Sequence, residues 1–254
     1  MISVYNYMRY DMGIYTGSIF IDIGMTDLYH GITQDGMTDL YDAAFEGAED
    51  TLRSLLEQDS TNIDVAGDYG QTPLYVSCET GSHGCACLLL NARADPNRER
   101  TGGWTPLHIA CQSGHDEIVS LLIAFHADVD VADESGYTPL YAACWNGHSA
   151  CIEVLLSHSA DWAKANKGGW TPLHIACQNG HADCADLLIG RGADPCVANA
   201  EGSSPLSVAR SAGRLRLRQT PEGQWLVERG ARGDLRREVA TASNEKRASY
   251  LSYL

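Results

Sequence analysis

An all-α repeat solenoid is the fold class this sequence predicts, and three observations predict it. The first is a fixed period: Thr72-Pro-Leu-Tyr75, Thr105-Pro-Leu-His108, Thr138-Pro-Leu-Tyr141, Thr171-Pro-Leu-His174 and Ser204-Pro-Leu-Ser207 begin 33 residues apart. Self-similarity at periods of roughly 20–50 residues marks stacked units, each too small to bury its own apolar face. The second is helix-start chemistry at every copy, with Thr or Ser suited to the N-cap and Pro to the first helical position. The third is a further apolar run behind each start, such as Ala150, Ile152, Val154, Leu155 and Leu156, spaced to face a neighbouring helix.

The unit beginning at Asp133 shows how each element follows. Gly136 permits a positive φ in a tight turn, Thr138 caps a helix, and Pro139 starts it where a missing N–H costs nothing. Leu140, Ala142 and Ala143 supply a narrow apolar face, and Gly147 is placed to end the helix in the left-handed conformation. A second helix then runs to Leu156, and Ala160-Asp161 leads into the next turn.

These residues resemble the ankyrin repeat, a 33-residue unit with T-P-L-H at the start of its first helix. The resemblance covers residues 35–232 as about six units, four regular and two capping. It implies an ankyrin-repeat stack of helix–turn–helix units with β-turn hairpin tips. A degenerate first copy, Thr38-Asp-Leu-Tyr41, lacks the proline. In the last copy Trp225 to Arg232 reads as a second-helix ending displaced by five residues, with the insertion near Arg214-Leu-Arg-Leu-Arg218. Residues 1–34 read as an irregular N-terminal extension or a further degenerate repeat, since Gly24 to Tyr29 is echoed at Gly36 to Tyr41; residues 233–254 read as a basic tail. Gly102 to Gln112 is identical to Gly168 to Gln178, 66 residues later, which duplication of a two-unit block explains most simply.

Composition narrows the function classes. Eighteen Lys+Arg against 33 Asp+Glu give a net charge of −15, which repels phosphate backbones and opposes general nucleic-acid binding. Residues 199–254 reverse the balance, with 6 acids and 10 bases. The N-terminus carries no export signal, and no run of the chain has the length and apolarity of a membrane span. An intracellular protein with reduced thiols is therefore expected, cytoplasmic rather than nuclear. Arg214 to Arg218 and Lys246-Arg-Ala-Ser249 are the candidates for an import patch and a basophilic kinase site.

Nine Cys and nine His invite a metal or catalytic reading. Cys78, Cys111, Cys144 and Cys177 recur at one repeat position, and Cys85, Cys151 and Cys184 at another. Helices stacked roughly 8–10 Å apart hold such ladders too wide for zinc, whose ligand sulfurs sit within about 4 Å of one another. Core packing is the expected role, with no metal or cofactor. The resemblance assigns His108 and His174 to hydrogen bonds with neighbouring turns, while His115, His148 and His181 follow helix-ending glycines. No phosphate loop, nucleophile elbow or zincin motif is present, and no enzyme is expected.

Repeat stacks bind along an extended concave surface. The resemblance places that surface at the turn tips and late in each first helix: Tyr69 and Glu79; Trp104, Gln112 and Ser113; Glu134, Tyr137, Trp145 and Asn146; Lys167, Trp170, Gln178 and Asn179. Trp104, Tyr137 and Trp170 fall at equivalent positions and are expected to form an exposed stripe of the kind enriched in binding hot spots. Trp145 stands where neighbouring units carry Glu79, Gln112 and Gln178, so the core does not require an aromatic there. Asp128, Asp130, Asp133 and Glu134 suit a partner protein with basic and apolar residues on one segment. The alternative is nucleic-acid or nucleotide binding through the aromatic stripe, which needs nearby bases and has only Arg100 and Lys167.

Overall fold

The computed structural model describes residues 38–57, 62–219 and 225–229. Among the described residues eleven helices follow one another, ten of them as five successive pairs. They are α1 (Thr38–Glu46) and α2 (Glu49–Leu56), α3 (Pro73–Thr80) and α4 (His83–Asn91), α5 (Pro106–Ser113) and α6 (Asp116–Ala124). Then come α7 (Pro139–Asn146) and α8 (Ser149–Ser157), α9 (Pro172–Asn179) and α10 (Ala182–Gly190), and α11 (Pro205–Ala212). The helix starts and stops expected from Thr-Pro and Gly stand where the sequence places them.

Local chemistry fixes each boundary. Thr138 adopts extended backbone and its hydroxyl accepts the Tyr141 amide at 3.2 Å, while Thr72 does the same for Tyr75. Where the fourth motif residue is His, the ring joins in: His108 Nδ1 accepts the Thr105 amide at 3.2 Å and His174 Nδ1 accepts that of Thr171 at 3.1 Å. At the other end Gly114 closes α5 with φ 84°. A Cβ on Gly114 would lie 2.6 Å from Nδ1 of His148, whose Nε2 bonds the Gln112 carbonyl at 2.9 Å. Gly114→Ala should therefore lose about 1 kcal/mol to the left-handed backbone and about 1 more to the displaced histidine, read as a lowered urea midpoint at unchanged slope.

The core lies between successive pairs. Leu74, Leu107, Leu140 and Leu173 at the helix starts are fully buried, as are Leu89, Leu122, Leu155 and Leu188 on the second helices. Cys78, Cys111, Cys144 and Cys177 are free thiols with no solvent exposure, and Cys85, Cys151 and Cys184 are also buried. Burial pushes these thiols up, Cys177 and Cys151 to about 12 and Cys184 to about 11, so they stay protonated and unreactive at neutral pH.

Turn tips are joined along the stack by backbone hydrogen bonds. The amides of Thr101, Glu134, Lys167 and Ala200 donate to the carbonyls of Tyr69, Gly102, Ser135 and Gly168 at 2.8–3.3 Å. A second row runs along the loops that leave the second helices: Asp64 accepts the Asp95 amide, Asn97 that of Asp128, and Asp130 that of Asp161. Ala163 offers no side-chain acceptor and ends this row.

The last unit departs from expectation. In place of a displaced second-helix ending, Trp225 to Arg229 forms a strand β2 (Trp225–Arg229), paired antiparallel with β1 (Leu215–Gln219) from Leu215↔Arg229 to Gln219↔Trp225. The reason is periodicity: Leu215-Arg-Leu-Arg218 alternates with a period of two, and Trp and Val in β2 favour extended backbone. Residues 230–232, the N-terminal segment 1–34, the tail 233–254 and the Lys246 to Ser249 motif lie outside the described residues.

Candidate functional site

The three aromatic tips are built alike. In each, an Asx residue one unit further along folds its own turn with one side-chain oxygen, and in the first two its other atom bonds the preceding aromatic. Asp133 Oδ1 accepts the amides of Ser135 and Tyr137 at 2.8 and 2.7 Å, leaving Oδ2 to accept Trp104 Nε1 at 2.9 Å. Asn166 Oδ1 accepts Gly168 and Trp170 at 2.9 Å, and its amide bonds the Tyr137 hydroxyl. Asn199 Oδ1 accepts Glu201 and Ser203 at 3.0 and 2.9 Å.

Trp104 is not the exposed ring that the sequence suggested. It is 6% exposed, pinned by Asp133, and set 5.4 Å from the His108 ring. The Arg100 guanidinium lies 5.5 Å from its centroid, and Arg100 Nε donates to the Tyr75 hydroxyl at 2.8 Å. Arg100 takes the tip position held by an Asx residue in the three following units, and its guanidinium is engaged with this cluster. Gln112 is buried too, because its carbonyl receives His148.

The remaining sequence-selected residues divide by exposure. Tyr69 is 59% exposed, and Glu134 and Lys167 are exposed. Tyr137, Trp145 and Trp170 are half-buried, as are Glu79, Ser113, Asn146, Gln178 and Asn179. Tyr137 packs 4.7 Å from Tyr141, which in turn lies 6.2 Å from Trp145, so one unit carries three rings in file down α7. Trp145 is held from behind: its carbonyl accepts Asn179 Nδ2 at 2.8 Å and His181 Nε2 at 3.1 Å. Asn179 is thus committed to the stack, and Asn146 Nδ2 bonds Ala142 within its own helix. Arg214 occupies the place of His181 one unit on and donates to the Asn179 carbonyl at 3.2 Å, which makes it part of the joint rather than of a free basic patch.

Sequence reasoning missed Trp162 and Asn199. Trp162 replaces the Pro96, Val129 and Pro195 of neighbouring units, and that substitution is the available signal. It is half-buried beside a cavity of about 400 Å³ with Leu156, Ser159, Ala160 and Arg191.

Catalytic chemistry finds little support in the histidines. Burial lowers His108 to about 4, and its Nε2 meets the Tyr137 carbonyl at 3.0 Å. His148 and His174 are lowered by burial as well. Among the described residues no three His, Cys, Asp or Glu side chains come together as a metal site, and no helix is long and apolar enough to cross a membrane.

A stack of helix pairs with half-exposed aromatics along its tips and first helices has the architecture of a protein-binding repeat array. Family models for ankyrin repeats match residues 18–100 and 93–166 (three copies) and, for the single repeat, 168–200. The chain belongs to the ankyrin-repeat family, whose repeats are in general protein–protein interaction modules. No curated protein matches it in sequence.

Proposed function

We propose that the chain is a non-catalytic adaptor, scaffold or regulatory subunit in the cytoplasm. Its partner is a protein segment carrying basic and apolar residues, bound along the turn tips and first helices. The observation that carries this reading is Trp145: a large, half-buried ring at a position where neighbouring units carry Glu79, Gln112 and Gln178. Tyr69 and Tyr137 extend the apolar surface, and the exposed Asp128 and Glu134 add negative charge for steering a basic segment. Nucleic-acid binding through the same rings is disfavoured by Arg100, whose guanidinium is already engaged with Tyr75 and Trp104.

The test is affinity capture from cell extract with wild type and the Tyr69→Ala/Trp145→Ala variant. Tyr69 is exposed and Trp145 half-buried, so the variant should stay folded at a cost of about 1–2 kcal/mol while losing its specific partners at least tenfold. A folded variant that retains the same partners would place binding elsewhere.

A further inference from the structure

The duplicated block repeats Trp104 as Trp170, but the residue that should pin the indole has changed from Asp133 to Asn199. The amide cannot simply turn over to compensate. Asn199 Oδ1 is fixed by two backbone amides, Glu201 and Ser203, just as Asp133 Oδ1 is fixed by Ser135 and Tyr137. Nδ2 therefore stands in the place of the carboxylate oxygen that accepts the Trp104 indole, and it can only donate. Asn199 is 6% exposed, and Nδ2 is buried without a hydrogen-bond partner.

The two tryptophans also differ in their settings. Trp104 lies 5.4 Å from His108 at an interplanar angle of 34°, whereas Trp170 lies 5.6 Å from His174 at 55°. Trp104 is buried and Trp170 half-exposed, a difference to which Arg100 over Trp104 also contributes. Asn199 Nδ2 thus has no acceptor at this tip, the N–H edge of Trp170 lies beside Gly168, where a Cβ would stand 3.9 Å from Nε1, and Lys167 is exposed on the same turn. At the equivalent tip the acceptor is a carboxylate oxygen.

We propose that Trp170 and Asn199 form a site for one carboxylate group, taken between the indole N–H and the Asn199 amide as the ring swings outward, with the Lys167 ammonium beside it. The site gives the bound segment a direction: basic residues toward Asp128 and Glu134, an acidic side chain or chain terminus toward Trp170. The inference rests on the partner-binding reading above only for that orientation; the site itself is testable without any partner.

The experiment uses the full chain labelled with ¹⁵N, titrated with sodium acetate and, in parallel, with neutral N-methylacetamide. Trp170→Phe identifies the Trp170 indole resonance. Acetate should shift that resonance and the Asn199 side-chain amide saturably, leave the Trp104 indole unmoved, and act at least tenfold more weakly on Asn199→Asp. Asn199→Asp supplies the missing acceptor in place, so its thermal midpoint should also rise. Trp170→Phe removes one donor and should abolish saturation at the Asn199 amide. The proposal is overturned by no saturable shift, as expected where water alone serves the donors. Equal shifts at Trp104, an unchanged response in Asn199→Asp, or a response to N-methylacetamide matching that to acetate overturn it too. Loss of partner capture in the Tyr69/Trp145 variant bears on the wider reading and leaves these resonances unaffected.

Discussion

Trp104→Ala is expected to destabilise the stack by about 3–5 kcal/mol, the range for deleting a buried tryptophan, whereas Trp145→Ala, which removes a half-buried ring, should cost about 1–2 kcal/mol. The two residues are indistinguishable as tryptophans in a repeat, and the contrast between them comes entirely from their surroundings. Removing Trp104 opens a void against His108, strands the Asp133 carboxylate without its indole donor, and uncovers Arg100. Chemical denaturation of both variants checks it. A Trp104→Ala protein with a wild-type midpoint would show that the ring is not part of the core.

Acidification should weaken the fold between about pH 6.5 and pH 4, with His108 as the largest single histidine contributor. In the folded chain His108 Nδ1 accepts the Thr105 amide and Nε2 faces the Tyr137 carbonyl, so the network assigns the neutral ring with its proton on Nε2. A proton on Nδ1 would set one donor against another inside a buried joint. The unfolded chain binds that proton near the ordinary value of 6.5, while the folded chain resists until about 4. The unfolded state therefore holds more protons across this window, and stability falls as pH falls, by on the order of 3 kcal/mol for this group. His148 and His174 are lowered too and act in the same direction. Urea midpoints at pH 7 and pH 5 should differ less in His108→Gln than in wild type; identical differences in the two would remove His108 from the account.

What could be read in the chain beforehand was whatever depends on neighbours in sequence. Thr138, Pro139 and Gly147 announce a helix by chemistry confined to a few residues, and the ladder of leucines needs only the period. Trp104 was misjudged because its burial depends on Asp133, 29 residues away, and on an arginine at a tip that holds an Asx residue in the units that follow. The hairpin of β1 and β2 was hidden for the opposite reason. Its two-residue alternation was visible, but the repeat period suggested a second helix there, and in the capping unit no further pair is required to match it. Asn199 went unnoticed because Asn and Asp fold the same turn; they differ only in the atom pointing away from it.

Trp145 has a consequence for the speed and cost of association. Its carbonyl is held by Asn179 and His181 from the following unit and its ring rests near Tyr141, so the main chain is already immobile before any encounter. A complex formed there surrenders only side-chain torsional freedom, a loss of roughly 0.5–1.5 kcal/mol for an ordered side chain, and no loop must be arranged first. If a partner docks there, a surface so held would meet it as a rigid body, with association rates set by diffusion and charge and differences in affinity left to the lifetime of the complex.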